Sequence, residues 1–155
     1  MPKTLYMETT QIAAAKTCGE IIQVLVEAGP RQIATEYSES GAVTGLTWAF
    51  LINERPAIFA MPARIEPVYK RLRSRRKGNL SLVADRGIRE QAERVAWRQL
   101  LRWVQAQASM IETGMVEPGE VFAPFLLDTE GGRTLWQSLT ESRFKMLAAP
   151  KEGLK

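Results

Sequence analysis

The residues best placed to do chemistry in this chain are its cations. Arg64, Lys70, Arg71, Arg73, Arg75, Arg76 and Lys77 crowd into one short stretch, and Arg94, Arg98 and Arg102 follow at successive four-residue steps. From Arg64 to Arg102 there are 12 cations against 4 anions, a net +8, while the whole chain carries +4, so the remainder carries −4. Charge segregated in this way points to a polyanionic partner, with DNA or RNA the first choice because Lys and Arg neutralise backbone phosphates. A solvated helix end is the plainer reading, since cations favour the C-terminal end of a helix dipole. Two or three cations would satisfy that reading, and Lys70 to Lys77 holds six in eight positions.

Other chemistry is poorly provided for. The chain has no His, which removes the commonest general base and every Ser-His or Cys-His pairing. Its one cysteine, Cys18, excludes an intramolecular disulfide, and without a second Cys or any His no ordinary zinc site can be built. Cys18 stands one turn before Ile21 and Ile22, which predicts an inert structural thiol. Asp85 and Asp128 are the only aspartates, and neither sits in a motif that sets a second acid beside it, as a metal-dependent nuclease would require. No catalytic residue, metal ligand or cofactor site is therefore expected. Trp48, Trp97, Trp103 and Trp136 have faces on which bases could stack, yet Trp48 lies on the apolar side of a strand pattern and Trp97 and Trp103 flank a core stripe. Core packing is the expected role of all four.

The elements that must position the cations follow from periodicity. Thr4 to Ile12 alternates briefly and predicts a strand. Thr17-Cys-Gly-Glu20 has capping-box form, Ile21, Ile22, Leu25 and Val26 follow at helical spacing, and Gly29-Pro30 stops the chain, predicting a helix over about Cys18 to Ala28. Three strand patterns come next, Gln32 to Tyr37, Val43 to Ile52 and Ala57 to Met61. Connections this short make them an antiparallel meander, and Pro56 and Pro62 suit an edge position for the last. Glu66 to Arg76 reads as a helix, and Asp85 to Thr113 as the longest one, with Asp85 as its N-cap and Gly114 as its stop. Ala92, Ala96, Leu100, Val104 and Ile111, widened by Val95, Trp97, Leu101, Trp103 and Met110, leave that helix only a narrow slice for water, where Arg94, Arg98 and Arg102 are expected to stand as an outward ladder. A short turn of helix at Glu117 to Phe122 and a last helix from the Thr134 capping box to about Leu147 precede a polar tail.

The expected fold is thus a single α+β domain over residues 1–155, a sheet half (about 1–63) followed by a helical half (about 64–148), with helices on one sheet face and Thr, Ala and Tyr on the other. The first residues hold an acid and no long apolar run, and no stretch approaches a membrane span, so a cytoplasmic, reducing compartment and no membrane association are expected.

Three stretches taken together carry a resemblance: Lys16-Thr-Cys-Gly-Glu-Ile21 ahead of Gly29, Met61-Pro-Ala-Arg64 leading into Val68-Tyr-Lys-Arg-Leu72, and Glu90-Gln-Ala-Glu-Arg-Val-Ala-Trp-Arg98 followed by Glu112-Thr-Gly-Met115. They resemble a family of small uncharacterised proteins encoded by bacteriophages and prophages, over nearly the whole chain. The resemblance implies no activity and assigns no site residues, but it favours work on nucleic acid or on a host nucleic-acid enzyme. Separately, Cys18 to Arg76 has the element order of a double-stranded-RNA-binding domain, without that domain's Lys-rich entry to its second helix. The expected function is non-enzymatic nucleic-acid binding in replication, recombination or nucleoprotein assembly, with a protein partner in the nucleoprotein complex or self-association both allowed. The alternatives are a protein-interaction inhibitor of a host nucleic-acid enzyme or defence system, and an assembly subunit that oligomerises through the uncovered sheet face.

Overall fold

The computed structural model describes residues 3–128, 132–142 and 144–145. Its elements are α1 (Ala14–Glu27), β1 (Gln32–Tyr37), β2 (Val43–Ile52), β3 (Arg55–Pro62), α2 (Ile65–Arg73), α3 (Leu82–Glu112), α4 (Pro118–Phe122), a 3-10 turn (Ala123–Phe125) and α5 (Leu135–Glu141). The α+β class, the antiparallel order β1-β2-β3 and the single long helix agree with the sequence pattern.

The core lies between the sheet and the helices. Alternate β2 residues Leu46, Trp48 and Phe50 pair across the sheet with Met61, Phe59 and Ala57 of β3, so one face presents a continuous apolar surface. Ile21 and Leu25 of α1 and Trp97, Leu101 and Val104 of α3 pack onto it, with Phe122 of α4 inserted among them. Phe122 meets Trp48 edge-on at 5.1 Å and Trp103 at 5.8 Å, a geometry that aromatic quadrupoles favour. The opposite sheet face carries Gln32, Ala34, Thr47, Ala49 and Ile58 around a shallow depression of about 170 Å³. The β2–β3 connection is a two-residue turn with both Asn53 (φ 50°) and Glu54 (φ 62°) left-handed, the hand that matches strand twist.

Four expectations about the elements need correction. Thr4 to Ile12 is not a strand, and among the described residues the sheet has three. Residues 6–9 form a turn, with Glu8 N donating to Leu5 O and Thr10 N to Met7 O, and the carbonyls of Tyr6 and Glu8 are taken by side chains of α3. Gln91 Nε2 donates to Glu8 O (2.8 Å) and Thr10 O (2.9 Å), and Gln99 Nε2 to Tyr6 O (2.9 Å), which meets the backbone's need for partners without a sheet. Thr17 does not cap α1. The helix begins at Ala14, and Thr17 is buried within it, because positions 14, 17, 18, 21 and 25 form the stripe that faces α3. The N-cap of α3 is Ser81, whose Oγ accepts from Ala84 N at 3.2 Å; Asp85 sits in the first turn and instead accepts from Tyr69 Oη at 2.6 Å. The last helix ends at Glu141, and Phe144, at φ 59°, turns back so that its ring meets Trp136 at 5.7 Å. Leu147 and the polar tail lie outside the described residues.

The α1-β1-β2-β3-α2 order is present, but α1 and α2 both take α3 as their helical neighbour. Side by side with α3, α1 brings Glu20 against Arg98, and α2 runs antiparallel to α3, bringing Tyr69 to Asp85 and Glu66 to Arg89.

Candidate nucleic-acid interface

The ten cations singled out in the sequence separate into three groups once α2 and α3 are packed. Lys70 and Arg71 on the last turn of α2, and Arg76 and Lys77 in the turn that follows, are exposed; none makes an ion pair among the described residues. Arg64, immediately before α2, is exposed in the same way. Arg86, on the first turns of α3, is also exposed and makes no ion pair among the described residues.

The second group shapes the surface. Arg73 donates from Nη1 to Arg76 O and from Nη2 to Gly78 O, both at 3.1 Å, and its Nε lies 3.9 Å from Asp85, so its guanidinium braces the turn that carries Arg76 and Lys77. Arg75 pairs with Glu8 and donates to Lys3 O, tying the N-terminal segment to the same turn. These fixed geometries lower the ordering cost of binding. Glu8, Leu72, Arg75, Arg76, Gly87 and Gln91 line the cleft between turn, segment and α3, of about 670 Å³. Because Glu8 already neutralises Arg75 there, the outer rim of the turn is the more anion-attracting part.

The third group departs from expectation. Arg94, Arg98 and Arg102 do not form an outward ladder. Arg98 is only 8% exposed, held between helices by Glu20 of α1 and donating to Thr17 Oγ1 at 3.4 Å. Arg94 is half-buried, its Nε on Gln91 Oε1 at 2.8 Å, and Arg102 is exposed on Gln105. The four-residue step puts these side chains on one stripe, and α1 covers the middle of that stripe. Arg89 reaches across to Glu66 at 3.2 Å and lies 3.9 Å over the Tyr69 ring. The Glu93 carboxyl is pushed above its ordinary range by burial and by neighbouring Glu90.

Arg98 therefore has a structural role that can be separated from binding. Arg98→Met should leave nucleic-acid affinity unchanged and change stability by less than about 1 kcal/mol, because Glu20 can turn to water. Glu20→Ala should cost about 2 kcal/mol, less than for a fully buried pair, since it leaves a buried guanidinium unpaired. Denaturant unfolding and binding of the two variants measure this; a large affinity loss on Arg98→Met would return Arg98 to the interface.

The Glu8–Arg75 tie predicts a pH response. Hydrogen bonding from Arg75, then from the Leu5 backbone N–H, holds the Glu8 carboxyl below the ordinary carboxylate range. A carboxyl depressed in the folded state stabilises at pH above its unfolded value, about 4.3, and that contribution disappears as pH falls through the lower folded value. Amide protection in residues 3–12, taken relative to the intrinsic exchange rate at each pH, should fall below about pH 4, and Glu8→Gln should show the low protection already at neutral pH. Protection in that segment that ignores both pH and the substitution would dismiss the tie.

The remaining sequence expectations fall as follows. Trp48 and Trp97 are core, and Trp103 is half-buried against it, but Trp136 is 46% exposed. Cys18 is buried, and burial raises its thiol above the ordinary range, which disfavours the reactive thiolate. Among the described residues no group of three His, Cys, Asp or Glu could hold a metal ion, and no helix is long and apolar enough to cross a membrane. No protein-family model, curated protein or solved structure matches the chain. The reading of this surface therefore rests on its own geometry.

Proposed function

We propose that the protein is a non-enzymatic nucleic-acid-binding protein that grips backbone phosphates with the end of α2 and the turn leading to α3. One observation carries this reading: Lys70 and Arg71 on the end of α2, and Arg76 and Lys77 on the turn that Arg73 and Arg75 brace from behind, stand exposed and without ion pairs among the described residues. A sequence selected only for helix stability has no use for four unpaired cations on a helix end and its braced turn, since like charges in proximity repel. Contacts of this kind position a protein on nucleic acid without reading bases, which fits replication, recombination or nucleoprotein assembly. A phage or prophage origin, with action in the host bacterial cytoplasm, is part of the same proposal.

The test is a binding titration at several salt concentrations against single- and double-stranded DNA and RNA. Affinity that falls steeply and log-linearly with salt supports the reading. An inhibitor of a host nucleic-acid enzyme would instead give weak, undifferentiated nucleic-acid binding alongside tight binding to one protein.

A further inference from the structure

We propose that the aromatic cleft between α2, α3 and α5 takes an unstacked base of a single-stranded nucleic acid. This rests on the function proposed above and makes it specific for single strands. The cleft encloses about 470 Å³, within the range of small-molecule sites. Trp103, Phe125 and Trp136 contribute aromatic walls, and Val68 and Leu100 an apolar lining. Trp136 is nearly half exposed there, unlike Trp48 and Trp97, which are fully buried. An exposed indole beside two further aromatic rings offers the flat, apolar contact that any base can use, and such stacking requires a base freed from a duplex.

Polar groups at the cleft fit the rest of a nucleotide. Arg64 lines it, is exposed, and makes no ion pair among the described residues, so a phosphate is its natural counterion. Gln99 also lines it; its Nε2 is engaged by Tyr6 O, and its amide oxygen remains as an acceptor for a base amino group. Arg64 opens α2, and Lys70 and Arg71 close it; nine helical residues span about 14 Å. A strand whose base sits in the cleft can thus carry its phosphates from Arg64 to the basic turn within a few nucleotides. Positive charge continuous with an aromatic slot complements a single strand, whereas a duplex hides its base faces and can use only the turn.

The experiment is an anisotropy titration of a labelled mixed-sequence single strand and of the same-length duplex. It compares the wild type with Trp136→Ala, Arg64→Ala and a variant in which Lys70, Arg71, Arg76 and Lys77 are all Ala. The single strand is expected to bind at least about tenfold tighter than the duplex. Trp136→Ala should remove roughly that factor for the single strand and leave the duplex unaffected, and Arg64→Ala should weaken the single strand by more than it weakens the duplex. The four-cation variant should weaken both. If Trp136→Ala and Arg64→Ala bind single strand as the wild type does while the four-cation variant is weakened, the cleft proposal falls and the basic surface stands. Wild-type protein that binds neither probe overturns both. Should Trp136→Ala fail to fold, Arg64→Ala, which lies outside the core, gives the deciding result.

Discussion

Affinity of the wild-type protein for nucleic acid is expected to fall about a hundredfold between roughly 50 and 200 mM salt, and the variant lacking Lys70, Arg71, Arg76 and Lys77 should lose most of that dependence. Each neutralised phosphate releases counterions and contributes a log-log slope of about −0.7 to −0.9, so four contacts give a slope near −3. The choice of these four is structural. Arg73 and Arg75 lie in the same run, but their guanidinium groups are bonded to turn carbonyls and to Glu8. Removing them would disturb the shape of the turn and confound binding with folding. The four selected side chains are exposed and unpaired among the described residues, so their loss should leave the unfolding midpoint nearly unchanged. Binding should weaken alike on all sequences, because phosphate contacts carry no base information. An unaltered salt slope in the folded variant would place the interface elsewhere and favour a protein target.

The largest loss of stability is expected at Trp97, which is 0% exposed at the centre of α3. It belongs to the cluster that joins α1, the sheet and Phe122, so truncation leaves a cavity bordered by several elements that cannot all collapse into it. Trp97→Ala should cost about 4 kcal/mol, within the span found for large aromatic truncations. For a chain of this size that corresponds to a fall in Tm of roughly 8–16 °C. Trp97→Phe should cost far less, about 1 kcal/mol, because the indole Nε1 has no hydrogen-bond partner here and only volume is lost. Thermal unfolding of the two variants measures the difference. Equal losses would mean that the indole N–H finds an acceptor and that packing volume is not what Trp97 supplies.

Sequence periodicity determined the meander, the helices and the stop at Gly114, because strand alternation and the apolar stripe of a helix are local patterns. Charge density likewise located the basic turn, since the six cations between Lys70 and Lys77 are neighbours in the chain before they are neighbours in space. Tertiary packing decided what each cation faces. The four-residue step that aligns Arg94, Arg98 and Arg102 says nothing about what covers the stripe, and α1 arrives with Glu20 to bury the middle member. Residues 4–12 illustrate the same limit: a short alternation suits a strand, yet Gln91 and Gln99, more than 80 positions away, satisfy its carbonyls in place of a sheet neighbour. Trp136 is the converse case. Core packing was expected of it as of the other tryptophans, and only the meeting of α2, α3 and α5 left it 46% exposed on a cleft that Arg64 also lines. Such outcomes depend on contacts between distant segments, whose partners a local pattern does not encode.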